Sequence, residues 1–350
     1  FFAHERHEPH VRTGFERMSF FTLRKSRIAL GKSTVPGLFS KTRHRCAGVD
    51  ITAQAIKIVE LSRSQREFRL QAYAIEPLPA GLMNDLTCSG AESVIRVLLK
   101  ALDKAGVMAR DAVVAMPDEL LISKILEVET GLSEADLELH VRLEAEQYVP
   151  YALEDVALDF EVQGYSSNHA GQVAVQMVAC RQEALEWYCS VLTGAGLIPR
   201  VVEVQAHALA RGVEALVPDL SQQEAVAVVD LGSHMTLLSI VHQGQVIYSR
   251  ELLFGQGTAG EQGFEESVVQ GLEQFFEAGA AGAVRMIVLA GAGATTPGLS
   301  QRFEARLGTS VRVANPFSTM DLNPALDLET LLCDAPMLLT ACGLALRGSD

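Results

Sequence analysis

Apolar and polar positions follow one grammar twice along this chain. Arg45–Ile51, Ala55–Ser62 and Phe68–Ala74 alternate with a period of two, which predicts three strands. Ala91–Ala105 carries Val94, Val97, Leu98 and Leu102 at helical spacing, and Gly106 stops it. Asp111–Met116 is a short apolar run and predicts a buried strand. Later, Ala225–Leu231, Met235–Val241 and Gln245–Arg250 predict three more strands, with His242-Gln243-Gly244 as a turn. Glu265–Ala278 then reads as a helix, Met286–Ala290 as a strand, Leu299–Leu307 as a helix and Val311–Ala314 as a strand. The repeat implies internal duplication, with an insertion in the first copy at about residues 117–181.

Within that insertion Pro117 breaks the pattern, and Ser133 with Asp136 forms a helix start. The predicted helix runs to about Tyr148, ahead of Pro150. Val156–Val162 and Gln172–Arg181 read as strands around a Ser166–Gly171 turn. Helices are expected at Gln182–Ala195 and Gln205–Val217 around a strand at Pro199–Val204. A last helix is expected at Ala335–Leu346, with Ala341 and Gly343 at close-packing positions. The organisation is thus a basic extension (1–35), a first lobe (36–116 with 182–220), the inserted subdomain (117–181), a second lobe (221–335) and a C-terminal helix returning to lobe one (336–350).

The first hairpin of each lobe carries candidate chemistry. Ala47–Leu61 and Val228–Leu238 each hold an aspartate near a glycine, Asp50 with Gly48 and Asp230 with Gly232. A turn that aims backbone N–H groups at one point binds anions. An aspartate at the strand end can hold a hydrated cation against the same anion. Two such turns, each opening an α/β half, suggest a phosphate held between similar lobes. The bland alternative is that both aspartates merely cap turns. Lys57 reads more readily as a solvent-facing strand lysine, and a plain strand-to-helix turn is the alternative for Gly291-Ala292-Gly293-Ala294.

Net charge is −14 at pH 7 over 350 residues, and 48% are hydrophobic. The acidic balance argues against a nucleic-acid protein. Residues 1–45 depart from it, with ten Lys/Arg against three Asp/Glu. Residues 1–34 lack periodicity and read as disordered or outside the natural protein, with Met18 or Val35 as alternative starts. His4, His7 and His10 there invite a metal reading that a solvated tract explains better. No run of about 18 apolar residues predicts a membrane helix. The six cysteines form no CxxC pair and read as reduced core thiols of a cytosolic protein.

The duplicated lobes resemble the actin/Hsp70/sugar-kinase superfamily, an α/β fold. Glu144-Ala145-Glu146-Gln147-Tyr148-Val149-Pro150, Leu158-Asp159-Phe160, Ser249-Arg250-Glu251 before Phe254-Gly255, Ala314-Asn315-Pro316-Phe317 and Ala341–Arg347 sharpen the match. They resemble the PilM family, actin-like and FtsA-related proteins of type IV pilus assembly, over about residues 36–350. The resemblance implies an adaptor under the inner membrane that binds the cytoplasmic tail of PilN beside the insertion, with Glu146 and Tyr148 as candidate contacts. Through PilN it would meet PilO and PilP, and it could meet the motor ATPases and platform protein, supporting twitching motility. Membrane contact would be indirect. ATP and Mg²⁺ would lie between the lobes. The resemblance puts phosphate contacts on Gly48, Asp50, Thr52, Lys57, Gly232, Ser233 and Thr236. It puts the cation on Asp50 and Asp230, and the ribose and adenine on Gly291, Gly293 and Ala294.

One departure stands out. The family carries a subdomain after the second-lobe hairpin that closes over the adenine. Here only 35 residues lie between Gly255 and Gly291, so that lid reads as truncated. Two other functions share the fold. A sugar or acetate kinase needs a catalytic carboxylate, for which Glu203 and Glu251 are candidates by position alone. An FtsA-like filament protein needs an amphipathic membrane helix, and the sequence to Asp350 carries none. No catalytic residue is therefore assigned, and negligible turnover is expected.

Overall fold

The computed structural model describes residues 45–64, 67–79, 81–84, 88–166, 169, 171–220, 224–232, 236–252, 261–277 and 283–349. The basic extension with its histidines, Ser233 and the turn at Phe254–Gly255 lie outside them.

The first lobe is built on β1 (Arg45–Ile51), β2 (Ala55–Ser64) and β3 (Glu67–Pro77), an antiparallel meander. Period-two alternation buries Ile56 and Ile58 on one face and Val59 and Leu61 on the other across a backbone irregularity at Glu60/Leu61. Helix α1 (Cys88–Ala105) then leads to β4 (Asp111–Met116), which pairs parallel to β1. β4 ends where Pro117 opens a single helical turn at Asp118–Leu120.

The insertion follows as a small domain. β5 (Leu121–Glu129), β6 (Val156–Tyr165) and β7 (Gln172–Arg181) form an antiparallel sheet in the order β5-β7-β6. Helix α2 (Glu134–Ala145) covers one face, burying Val141 and Ala145 on Leu126, Val128, Val175 and Met177. Its N-cap Ser133 accepts from the Asp136 N–H, as the sequence predicts. The helix stops at Ala145, three residues short of the expected Tyr148. β5 was not predicted, because the charge of Lys124 falls on its core-facing side and Ile125 on its exposed side, which breaks the alternation.

The chain returns through α3 (Gln182–Gly194), β8 (Ile198–Val204) and α4 (Gln205–Leu216). β8 lies parallel to β4 and completes a sheet ordered β14-β3-β2-β1-β4-β8, with β14 at Asp321–Leu322. The second lobe repeats the plan. β9 (Glu224–Leu231), β10 (Thr236–His242) and β11 (Gln245–Leu252) form a meander, followed by α5 (Glu261–Glu277) and β12 (Ala283–Ala290). After α6 (Leu299–Leu307), β13 (Ser310–Val313) closes a sheet ordered β11-β10-β9-β12-β13. Each sheet has an antiparallel meander whose first strand is extended by two parallel strands.

The expected last helix divides in two. Pro336 sits in a one-turn helix at Ala335–Met337, and α8 (Leu339–Arg347) starts after Leu338. α7 (Leu328–Asp334), capped by Asp327, precedes it and was not predicted. α8 returns to lobe one, packing on β1, β2 and β4. It also crosses α4. A Cβ on Gly343 would stand 1.8 Å from the Ala208 carbonyl oxygen, so this backbone contact requires glycine. α4 serves both lobes. Its Leu209, Ala210 and Val213 pack on Val226, Val228 and Val288 of the second sheet, while Ala208 joins the core of the first. α4 and α8 are therefore a shared layer between the lobes.

Among the described residues no single helix is long and apolar enough to cross a membrane. The bent pair Leu328–Met337 and Leu339–Arg347, at 88°, passes by length and composition only. Its second helix is core from Leu339 to Leu346.

Candidate functional site

The ends of β1 and β9 bring charge together between the lobes. Asp50 faces Lys57 directly across the β1–β2 ladder, because the intervening hairpin sets that register. The Lys57 ammonium donates to Asp50 Oδ2 at 3.3 Å, and the carboxylate is almost fully buried. Asp230, at the end of β9, acts on the same ammonium. Burial alone would push the Lys57 pKa down, yet the charges of Asp50 and Asp230 raise it above 10.5. Asp230 moves up from 3.8, mainly because burial penalises its charge, with Lys57 opposing and Asp50 adding to the rise. One lysine thus balances two carboxylates from opposite lobes.

Two further groups join this cluster. Tyr188 on α3 is fully buried, and its hydroxyl has no hydrogen-bond partner among the described residues. Burial raises its pKa, and the charges of Asp50 and Glu119 add to the rise. An unsatisfied buried hydroxyl carries a desolvation cost of roughly 1–3 kcal/mol, which a water or ligand oxygen beside it would relieve. Nothing in the sequence singled this tyrosine out, since its spacing on α3 reads as core. Gly291, at φ +80°, brings the loop after β12 against Asp230. A Cβ there would lie 2.3 Å from Asp230 Oδ1 and 2.6 Å from the Leu231 carbonyl oxygen.

Several sequence assignments change. Gly48 lies mid-strand under α8, where a Cβ would stand 2.1 Å from the Ala341 carbonyl oxygen. That close approach of the α8 backbone accounts for the glycine by itself. The Thr52 hydroxyl donates to the Ala55 carbonyl and accepts from the N–H groups of Gln54 and Ala55. The Thr52 N–H also bonds the Ala55 carbonyl, so this turn is closed on itself instead of forming an open anion nest. Gly293 and Ala294 are buried within their own loop, which leaves Ala292 and Thr295 as its exposed positions. Gly232 follows β9 directly and is half-buried, and Thr236 opens β10 fully buried. The core-thiol reading fails at Cys333, which is exposed.

Neither positional candidate for a base survives as one. Glu251 is exposed on β11. Glu203 is buried, with the Arg211 Nη1 at 3.2 Å, the Arg347 Nε at 3.6 Å and the His207 Nδ1 at 3.6 Å. Burial would raise its carboxyl, but the His207 hydrogen bond and the charges of Arg211, His207 and Arg347 outweigh that and hold it below 4.5. It is a structural anion tying β8 and α4 to α8. At the start of α4 the Asp118 carboxylate also accepts the Ala206 N–H, which serves a helix whose own N-cap position, Val204, cannot.

The insertion presents the other candidate residues. Glu146 is exposed just past α2, and Tyr148 is half-exposed with the Lys124 ammonium 5.1 Å from its ring centre. Val149, from the same motif, is core.

Residues 48–266 and 261–349 match the family described as type IV pilus assembly protein PilM. The chain belongs to the PilM family. A solved structure entitled PilM-PilN type IV pilus biogenesis complex is 26% identical, with a TM-score of 0.69, and the match covers 87% of this chain and 98% of that one. The ethanolamine utilization protein EutJ from Carboxydothermus hydrogenoformans is 16% identical, with a TM-score of 0.45, over 86% of this chain and 89% of that one. The cytoplasmic domain of EpsL, an inner-membrane component of the type II secretion system of Vibrio cholerae, is 14% identical, with a TM-score of 0.41, over 83% and 94%. The fold is that of the actin-like ATPases, and the chain is a type IV pilus assembly protein of this class.

Proposed function

We propose that this protein is a cytoplasmic adaptor of the pilus machinery that holds the PilN tail with its insertion and Mg-ATP between its lobes. The observation that carries the reading is the likeness to the PilM of a PilM–PilN complex across nearly the whole of that chain. PilN would tether the protein to the inner membrane and connect it to PilO, PilP and the motor, in support of twitching motility. The exposed Glu146 and Tyr148 at the end of α2 are the contacts we assign to the tail.

The residues between the lobes fit a magnesium nucleotide. Two carboxylates from opposite lobes suit a hydrated Mg²⁺, which keeps several waters and needs few protein ligands. No cluster of three metal-ligating side chains exists among the described residues, as such a site permits. Bound Mg-ATP would supply phosphate charge for Lys57, and a cation for Asp50 and Asp230. The buried Tyr188 hydroxyl, without a partner among the described residues, is a further polar group that a water or ligand oxygen would satisfy. Ala292, Thr295 and Gly232 are the described positions left to approach the nucleotide, and Thr236 opens β10 beside them.

Two features keep the protein from being an ATPase in this reading. Of the two positional candidates for a base, Glu203 is held by Arg211, Arg347 and His207, and Glu251 is exposed on β11. The short stretch between Gly255 and Gly291 is the second feature, since it leaves little chain to close over an adenine. Losing about 3 kcal/mol of adenine contacts weakens Kd more than a hundredfold, so nucleotide affinity is expected to be submillimolar at best.

The test is capture of a PilN-tail peptide by the wild-type chain and by Glu146→Lys. The variant should bind at least about tenfold more weakly with an unchanged melting temperature. Equal affinity would remove the end of α2 from the partner site.

A further inference from the structure

Helix α2 is apolar on two opposite sides. Leu137, Val141 and Ala145 recur every four residues and turn onto the three-stranded sheet of the insertion. Ala135, Leu139 and Leu143 recur at the same spacing, about 200° away around the helix. That second stripe faces water, with Leu139 58% and Leu143 56% exposed. Leu132, exposed just before the N-cap, extends the stripe. A helix that packs on one side carries polar residues on the other, yet among the described residues these leucines remain more than half exposed.

Charge says what covers them. Residues 117–181 hold thirteen Asp/Glu against three Lys/Arg, a net of −10 out of the chain's −14. Glu134, Asp136, Glu138 and Glu146 are all exposed along or just past α2. Arg142, the helix's one Lys/Arg, is paired to Glu138 at 3.2 Å. We propose that the outer face of α2 docks a helical segment of a partner protein that is apolar along one side and flanked by lysine and arginine. Two leucines one turn apart match the anchors of a helix laid alongside. The acidic flanks select basic side chains and speed their encounter. An anionic membrane surface is repelled by the same acids. A second copy of this chain would bring two faces of like charge together. The surface runs along the helix from Leu132 to Leu143, ahead of Glu146 and Tyr148, and does not depend on where the PilN tail binds.

The full chain can be titrated, near physiological salt, with a synthetic peptide of about three heptads carrying leucine at a and d and lysine at e and g. Three companions complete the set: a glutamate version, a scrambled peptide of equal charge, and vesicles of anionic phospholipid. The lysine peptide should bind at least about tenfold more tightly than the scrambled and glutamate peptides. The double variant Leu139→Ser/Leu143→Ser should lose that preference without a change in melting temperature, because both side chains are already in water. Equal binding of the scrambled peptide would reduce the effect to charge alone and overturn the proposal. So would undiminished binding by the double variant, leucine-dependent binding to the vesicles, or leucine-dependent self-association of the free chain.

Discussion

At the scale of single residues the cleft between the lobes is an electrostatic compromise. Lys57 holds Asp50 at 3.3 Å and also feels Asp230, whose carboxyl is pushed above its ordinary value. A raised carboxyl pKa means that ionised Asp230 costs the folded chain stability at neutral pH. Asp230→Asn should therefore leave the melting temperature unchanged or higher while abolishing magnesium-dependent nucleotide binding. Thermal melts with and without Mg-ATP read both effects. Glu203 has the opposite sign. Its carboxyl is held below 4.5, so its contribution is present at neutral pH and is lost as pH falls through the lowered value. Stability should decline below about pH 4.5. Glu203→Gln should cost about 3 kcal/mol in urea unfolding, because it leaves Arg211 and Arg347 facing a buried site without their anion.

At the scale of elements, the joint between the lobes depends on how closely α8 approaches α4 and β1. Gly343→Val should destabilise the chain by more than about 2 kcal/mol, measured by urea unfolding, since the Ala208 carbonyl occupies the space a side chain needs. The sequence made this packing legible through Ala341 and Gly343. It also showed strands β1, β4 and β7 and helix α6 at their full extent, because each is a clean periodic run between turn residues. It did not show β5, whose charges hide the alternation, nor the break at Leu338, where one apolar run reads as one helix. Gly48 shows a limit of sequence reading. A glycine beside an aspartate looks the same whether it admits a phosphate or a helix backbone, and only the position of α8 separates the two. Asp50, Lys57 and Asp230 converge as their hairpins suggested, whereas Tyr188 was hidden in a helix stripe that reads as core.

At the scale of the molecule, two lobes of one topology meet across a shared helical layer, with an acidic subdomain inserted in the first. The insertion touches both that layer and the second lobe. His207 on α4 contacts Glu203 at 3.6 Å and Gln176 of the insertion at 3.3 Å. Gln163 of β6 meets Gln245 of the second lobe at 3.0 Å. These contacts hold the insertion against both lobes.

The most direct test of this account is calorimetric titration of the full chain with a PilN-tail peptide, with and without Mg-ATP. The account predicts one peptide per chain, bound more tightly when the nucleotide is present. Absence of peptide binding in both conditions would contradict the adaptor role itself.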